Sequence, residues 1–315
     1  MTNWQDDRGA GTAALDERAA ADRRRVEPDA LARVARLELR ARTVVEGVIS
    51  GLHRSPHRGY SVEFAQHREY TPGDETRHID WRLYARSERH FVKQYEEETN
   101  LRATLVLDTS SSMDYASAGV SKLDYAATAC AALAMLLTHQ RDSVGLALFD
   151  RGVRSYLPAA GTAPHLREAL RRLATAETAP RTGIGAALHD LADRVKRRGL
   201  IVVVSDFFDQ PADILLGLRH FHHRRHEVVA LQVLDPHEVE FPFREPVVFS
   251  GLEGEGEMPI EPRSLRNEYL ARFRAHVDAL RRGCHEIGMD YAQFVTDQPV
   301  EKALTDYLSR RRRRA

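Results

Sequence analysis

The balance of apolar and polar positions changes at Asn100. Beyond it, short apolar runs alternate with longer helical ones. LRATLVLD, ending at Asp108, is the kind of run that fills a strand buried on both faces. KLDYAATACAALAMLLTHQ, Lys122 to Gln140, predicts a helix, and SVGLALFD a second strand. VRSYLP follows after only Arg151 and Gly152, too short a gap for a parallel crossover, so it is expected to return as an antiparallel hairpin. Helices are predicted at about Pro164–Ala174 and Gly183–Arg197, followed by strand LIVVVSD, helix Ala212–Phe221 and strand EVVALQVLD. An irregular Pro/Gly/Glu-rich excursion covers about 236–262; helix Leu265–Glu286, strand MDYAQFVT and a last helix near Val300–Arg310 complete the pattern. Such alternation implies an α/β fold, with a mostly parallel sheet covered by helices on both faces and right-handed crossovers.

The first 100 residues read differently. Residues 1–28, rich in Ala, Asp and Arg, predict a disordered tail. Leu31, Val34, Leu37, Leu39, Val44 and Val45 predict a helix over about 29–50, with Gly47 and Gly51 expected to end it. Residues 51–100 read as a small β-rich segment with many His and Arg and the turn TPGDE.

Composition narrows the classes. Hydrophobic residues make up 43% of the 315, enough for a sizeable core, and the formal net charge is zero, which removes any global drive towards nucleic acid or acidic membranes. The basic residues are nearly all Arg; Lys93, Lys122, Lys196 and Lys302 are the lysines. Cys130 and Cys284 form no CxxC motif and are expected to be packing thiols in a reducing compartment. With no apolar leader and no run of about 20 apolar residues, a cytoplasmic location is expected.

The candidate chemistry stands at predicted strand ends. In an open parallel sheet, ligands bind beyond the carboxyl ends of the strands, where strand order reverses. Asp108 ends one strand and opens DTSSSM; Asp206 ends another in VVVSDFFD; Thr182, in RTGIGAAL, precedes a helix on the same edge. Neighbouring strands lie about 4.8 Å apart, so the two carboxylates would repel unless they shared a cation. Asp108, Ser110, Ser112, Thr182 and Asp206 form an all-oxygen set, which suits Mg²⁺ or Mn²⁺. Taken singly, these residues also read as helix caps and loop turns, and Ser110 or Ser112 as a nucleophile.

DTSSSM, RTGIGAAL and VVVSDFFD together resemble the metal-ion-dependent adhesion site of a von Willebrand factor type A domain, a doubly wound, Rossmann-like fold. The resemblance implies that Asp108, Ser110 and Ser112 form the first metal-facing loop, Thr182 the second and Asp206 the third, with a type A-like domain over about 101–311. One departure is plain: a Gly often follows the third-loop Asp in that family, whereas Phe207 and Phe208 follow here and set an apolar rim beside the site. REYTPGDETRHIDWRLYARSERHFVKQYEEE, with GLHRSPHRGYSVEF ahead of it, is similar to the bacterial family called domain of unknown function fifty-eight. That resemblance implies a MoxR-type AAA+ ATPase as partner. Within this segment Arg68, Asp74, Arg77, Asp80 and Arg86 surround Trp81 and Tyr84, either as a locking network or as a docking surface.

Other polar clusters carry less. His53, His57 and His67 are irregularly spaced for a metal, HFHHRRH (His220 to His226) reads as a cationic helix end, and Arg310 to Arg314 as a solvated terminus. The function expected is a non-enzymatic, metal-dependent protein-binding module, with a partner carboxylate completing the metal shell. The alternatives are a metal-dependent hydrolase or phosphoesterase, or a scaffold with a vestigial metal site. No GxSxG elbow and no P-loop is present, and His139 and His189 lie within helical patterns.

Overall fold

The computed structural model describes residues 28–53, 67–70, 81–87, 89–93, 101–117, 119–179, 183–251 and 256–312. Its centre is a six-stranded sheet. In chain order these strands are β3 (Arg102–Asp108), β4 (Ser143–Phe149), β5 (Val153–Ala160), β6 (Leu200–Ser205), β7 (Glu227–Leu234) and β10 (Asp290–Val295). The spatial order is β10-β7-β6-β3-β4-β5, parallel except for β5, which returns antiparallel beside β4 as the two-residue gap predicts. From β3 the chain first builds towards β5 and then crosses back to β6, so the order reverses between β3 and β6. These two strands are direct parallel neighbours, with Leu107 opposite Val204.

Side chains alternate between two cores, which explains the unbroken apolar runs. Leu105 and Leu107 of β3 face one cluster and Val106 faces the other. The first face is covered by α1 (Pro28–His53), α3 (Lys122–His139), α4 (Ala163–Ala174) and α9 (Val300–Arg312). The second is covered by α5 (Ile184–Arg194), α6 (Pro211–His223) and α8 (Pro262–Glu286). Cys130 and Cys284 are both buried thiols, one in each cluster.

Two expectations need correction. Helix α1 does not end at Gly47 or Gly51 but runs through both to His53. The glycines are contact points: a Cβ on Gly47 would lie 3.1 Å from Cβ of Glu301, and one on Gly51 2.9 Å from Cγ2 of Thr305, so their bareness lets α1 lie close against α9. Leu37, Ala41, Val44 and Val48 on α1 are buried in the first core. Secondly, the described residues of the 236–262 excursion carry regular elements. It forms a short helix α7 (Pro236–Glu240) and an antiparallel hairpin of β8 (Val247–Ser250) and β9 (Glu257–Ile260).

The β4–β5 pairing is broken by a bulge between the Val144 and Leu146 partners. Gly145 makes room for it, since a Cβ there would meet the Leu157 carbonyl at 2.8 Å and the Ala159 nitrogen at 2.9 Å. Upstream of the sheet, β1 (His67–Glu69) pairs with β2 (Phe91–Lys93), and α2 (Trp81–Ser87) carries Tyr84, which stacks on His90 at 4.3 Å. TPGDE, Asp74, Arg77 and Asp80 lie outside the described residues, as do residues 1–27, His57, and the side chains of His53, His67 and Arg68.

Candidate metal centre at the strand ends

Asp108 is the last residue of β3 and is fully enclosed. One of its oxygens accepts the Ser110 backbone N–H at 2.8 Å, and the other accepts the Ser205 hydroxyl at 2.6 Å from the end of β6. After it the chain curls into a 3-10 turn over Ser111–Asp114, which brings the Ser110 and Ser112 hydroxyls to 3.0 Å from each other. Met113 packs into the core, while the buried Ser111 hydroxyl has no hydrogen-bond partner among the described residues. Neither the Ser110 nor the Ser112 hydroxyl bonds to a histidine or lysine among the described residues.

Asp206 follows β6 and is likewise enclosed. Its oxygens accept the Phe208 N–H at 3.2 Å and the Lys122 ammonium at 2.7 Å. Sequence reasoning missed Lys122. This first residue of α3 is fully buried, donates also to Glu238 at 2.6 Å, and lies 4.8 Å from the Phe208 ring centroid. Its one visible signal is rarity, a lysine among basic residues that are nearly all Arg. A compact ammonium can sit between two carboxylates where the planar guanidinium fork would not. Glu238 in turn accepts the Asp235 N–H at 2.8 Å in a capping box that starts α7, and Ser117 bonds to Asp235 from the far side.

Burial pushes the Asp108 carboxyl up to about 7, Asp206 adds to the rise, and the bonds from Ser205 and Ser110 oppose it. For Lys122 burial disfavours the charge, but Asp206 and Glu238 outweigh it and hold the ammonium above its ordinary value. Glu238 is raised by burial despite Lys122. Asp108 therefore has only neutral donors around it among the described residues. Lys122 offsets the charge of Asp206 and Glu238, and Asp108 is left without a cation beside it among the described residues. The donors are all oxygen, the chemistry a hard divalent ion takes, although no group of three or more His, Cys, Asp or Glu side chains placed to hold a metal occurs among the described residues.

The fold thus gathers Asp108, Ser110, Ser112 and Asp206 at one sheet edge. Thr182 lies outside the described residues. The chain ahead of it is tied to the first loop, because Ala179 donates its N–H to the Thr109 carbonyl at 2.9 Å. Of the two phenylalanines after Asp206, only Phe208 forms a rim, at 36% exposure. Phe207 is buried at 1% and takes a left-handed backbone, φ 55°.

A family model described as protein of unknown function DUF58 matches residues 66–279. The chain belongs to the DUF58 family. The uncharacterized protein Rv1480 of Mycobacterium tuberculosis is 32% identical to this DUF58 chain over 297 residues, 92% of each. The uncharacterized protein MAV169 of Mycobacterium avium is 30% identical over 156 residues, covering 46% of this chain and 88% of that one. Among solved structures, BatB from Bacteroides thetaiotaomicron covers 68% of the DUF58 chain and 99% of its own, with a TM-score of 0.44 and 18% identity. An aerotolerance-related membrane protein from Bacteroides fragilis covers 67% and 99%, with a TM-score of 0.44 and 20% identity. No helix among the described residues is long and apolar enough to cross a membrane.

Proposed function

We propose that this DUF58 chain is a non-enzymatic, metal-dependent protein-binding module of the von Willebrand type A kind, serving as adaptor to a MoxR-type AAA+ ATPase. The observation that carries the reading is Asp108: a buried carboxylate with no cation of its own among the described residues, set beside the Ser110 and Ser112 hydroxyls and a second carboxylate, Asp206. Burial disfavours the charged form of this carboxyl, and a divalent ion would favour it. Asp108, Ser110, Ser112 and Asp206, with Thr182, would hold Mg²⁺ or Mn²⁺, and the ion would attract a partner's Asp or Glu carboxylate.

The chain's own residues prepare that site. Ser205 and the Ser110 N–H fix the Asp108 carboxylate, and Lys122 and the Phe208 N–H fix Asp206. Ligand groups held in place by such surrounding bonds bind a metal with little reorganisation. Calorimetric titration of Mg²⁺ and Mn²⁺ into the parent and into Asp108→Ala tests the site, with metal binding expected to vanish in the variant. Unchanged affinity in a folded Asp108→Ala protein would overturn the assignment. A purified MoxR-type ATPase should be retained by the parent in Mg²⁺, and released by EDTA.

A further inference from the structure

Beside the strand-end loops lies a cavity of about 630 Å³, within the range of roughly 300–1,000 Å³ typical of ligand pockets. Ser112 of the first loop and Phe208 of the third form one side of it. The opposite wall is aromatic. Phe241, at the end of α7, packs on Tyr269 of α8 at 4.6 Å and edge-on to Phe243 at 5.2 Å, and Phe243 meets Phe249 of the hairpin at 5.2 Å.

Three polar groups of the lining are already engaged. Glu238 is held by Lys122 and the Asp235 N–H, the Tyr269 hydroxyl donates to the Glu238 carbonyl at 2.9 Å, and Ser112 pairs with Ser110. Tyr115, His237 and Ser250 add polar atoms to the lining, but ring and aliphatic surface predominates, so the cavity favours apolar groups. Val248 on its outer lip is 62% exposed, which leaves the wall open to an entering chain.

The backbone points to the same place. Phe207 and Phe241 both have left-handed φ angles, 55° and 46°. Arg141 and Arg225, at helix ends elsewhere, are the other non-glycine residues of this kind among the described residues; for a bulky ring the conformation is strained. At Phe207 the turn sends one ring into the core and leaves Phe208 over Lys122 at the cavity; at Phe241 it delivers the ring to the cavity wall itself.

We propose that this cavity is the specificity pocket of the metal site, taking a branched aliphatic or aromatic side chain that lies next to the partner's acidic residue. The inference rests on the metal-dependent reading above. Because Ser112 belongs to both the loop and the cavity, the carboxylate and the apolar side chain must come from neighbouring residues of one extended segment. The occupant is a short peptide stretch of a partner protein in which Asp or Glu adjoins Leu, Ile, Phe or Trp.

Panning a random peptide library on the full chain in Mg²⁺ tests this, followed by affinity measurement with a synthetic copy of the enriched sequence. An acidic residue with apolar neighbours should be enriched. Val248→Asp and Phe249→Ser should weaken the peptide about tenfold or more, the scale of losing an apolar anchor, while calorimetric Mg²⁺ affinity stays at the parent value. Val248 is exposed enough for its replacement to leave the fold intact, so that variant guards against misfolding of the Phe249 one. Enriched peptides that are acidic without apolar preference, and indifferent to Val248→Asp, would overturn the pocket while leaving the metal site standing. Apolar peptides that bind equally in EDTA and to Asp108→Ala would support the pocket and overturn the metal-dependent reading. A library that yields no binder overturns the proposal.

Discussion

Replacing Lys122 by Met keeps the length of the side chain and removes its charge. Asp206 and Glu238, which accept from the ammonium at 2.7 and 2.6 Å, then face each other in a buried site with no cation. Removing one member of a buried ion pair costs about 3–5 kcal/mol, because the remaining charge stays desolvated. Here two carboxylates lose their partner, so the upper part of that range applies, and the melting temperature should fall on the order of 10 °C. The assay is thermal unfolding in EDTA and again in Mg²⁺. In EDTA the variant should be strongly destabilised, and adding Glu238→Gln should restore part of the loss. In Mg²⁺ its gain should exceed the parent's, because the ion takes over the neutralisation that the ammonium supplied. A Lys122→Met protein that melts within about 2 °C of the parent in EDTA, the scale of a surface change, would refute the view that this ammonium neutralises the site.

Phe207→Gly relieves a left-handed backbone worth about 1–3 kcal/mol but deletes a buried ring worth about 3–5, so a net loss of about 2 kcal/mol is expected in urea unfolding; a gain would show that strain, not packing, dominates at this turn. His226 is buried, and burial lowers its pKa below the ordinary 6.5. Its share of stability is therefore complete above pH 6.5 and is lost as pH falls through the lower folded value, where the unfolded chain takes up a proton that the fold refuses. His226→Phe should flatten that decline in a pH series of unfolding midpoints, and an unchanged slope would assign it to other groups.

What could be read in the chain depended on how local the cause was. The β3, β6 and β7 runs were legible because burial on both faces leaves a continuous apolar signature, and the β4–β5 hairpin because two residues cannot carry a crossover. The neighbouring of Asp108 and Asp206 followed from the reversal of strand order. Gly47 and Gly51 were misread because a glycine pair near a helix end looks like a stop; its cause is α9, some 250 residues later, which no local window contains. The same distance hid the bridge from Lys122 to Glu238. The hairpin β8–β9 was missed because its strands are only four residues each and one holds a proline, leaving too short a stretch for alternation to appear.

The bulge opposite Gly145 bears on how the molecule meets others of its kind. Strand β5 is an outer strand of the sheet, where unpaired N–H and C=O groups invite a further strand from another chain. Pro158 lies within that bulge and offers no N–H, and Arg154 adds charge near the strand's start. A neighbouring chain trying to add a strand there finds a ladder with a missing rung and a kink. Self-association into extended sheets is disfavoured along this edge.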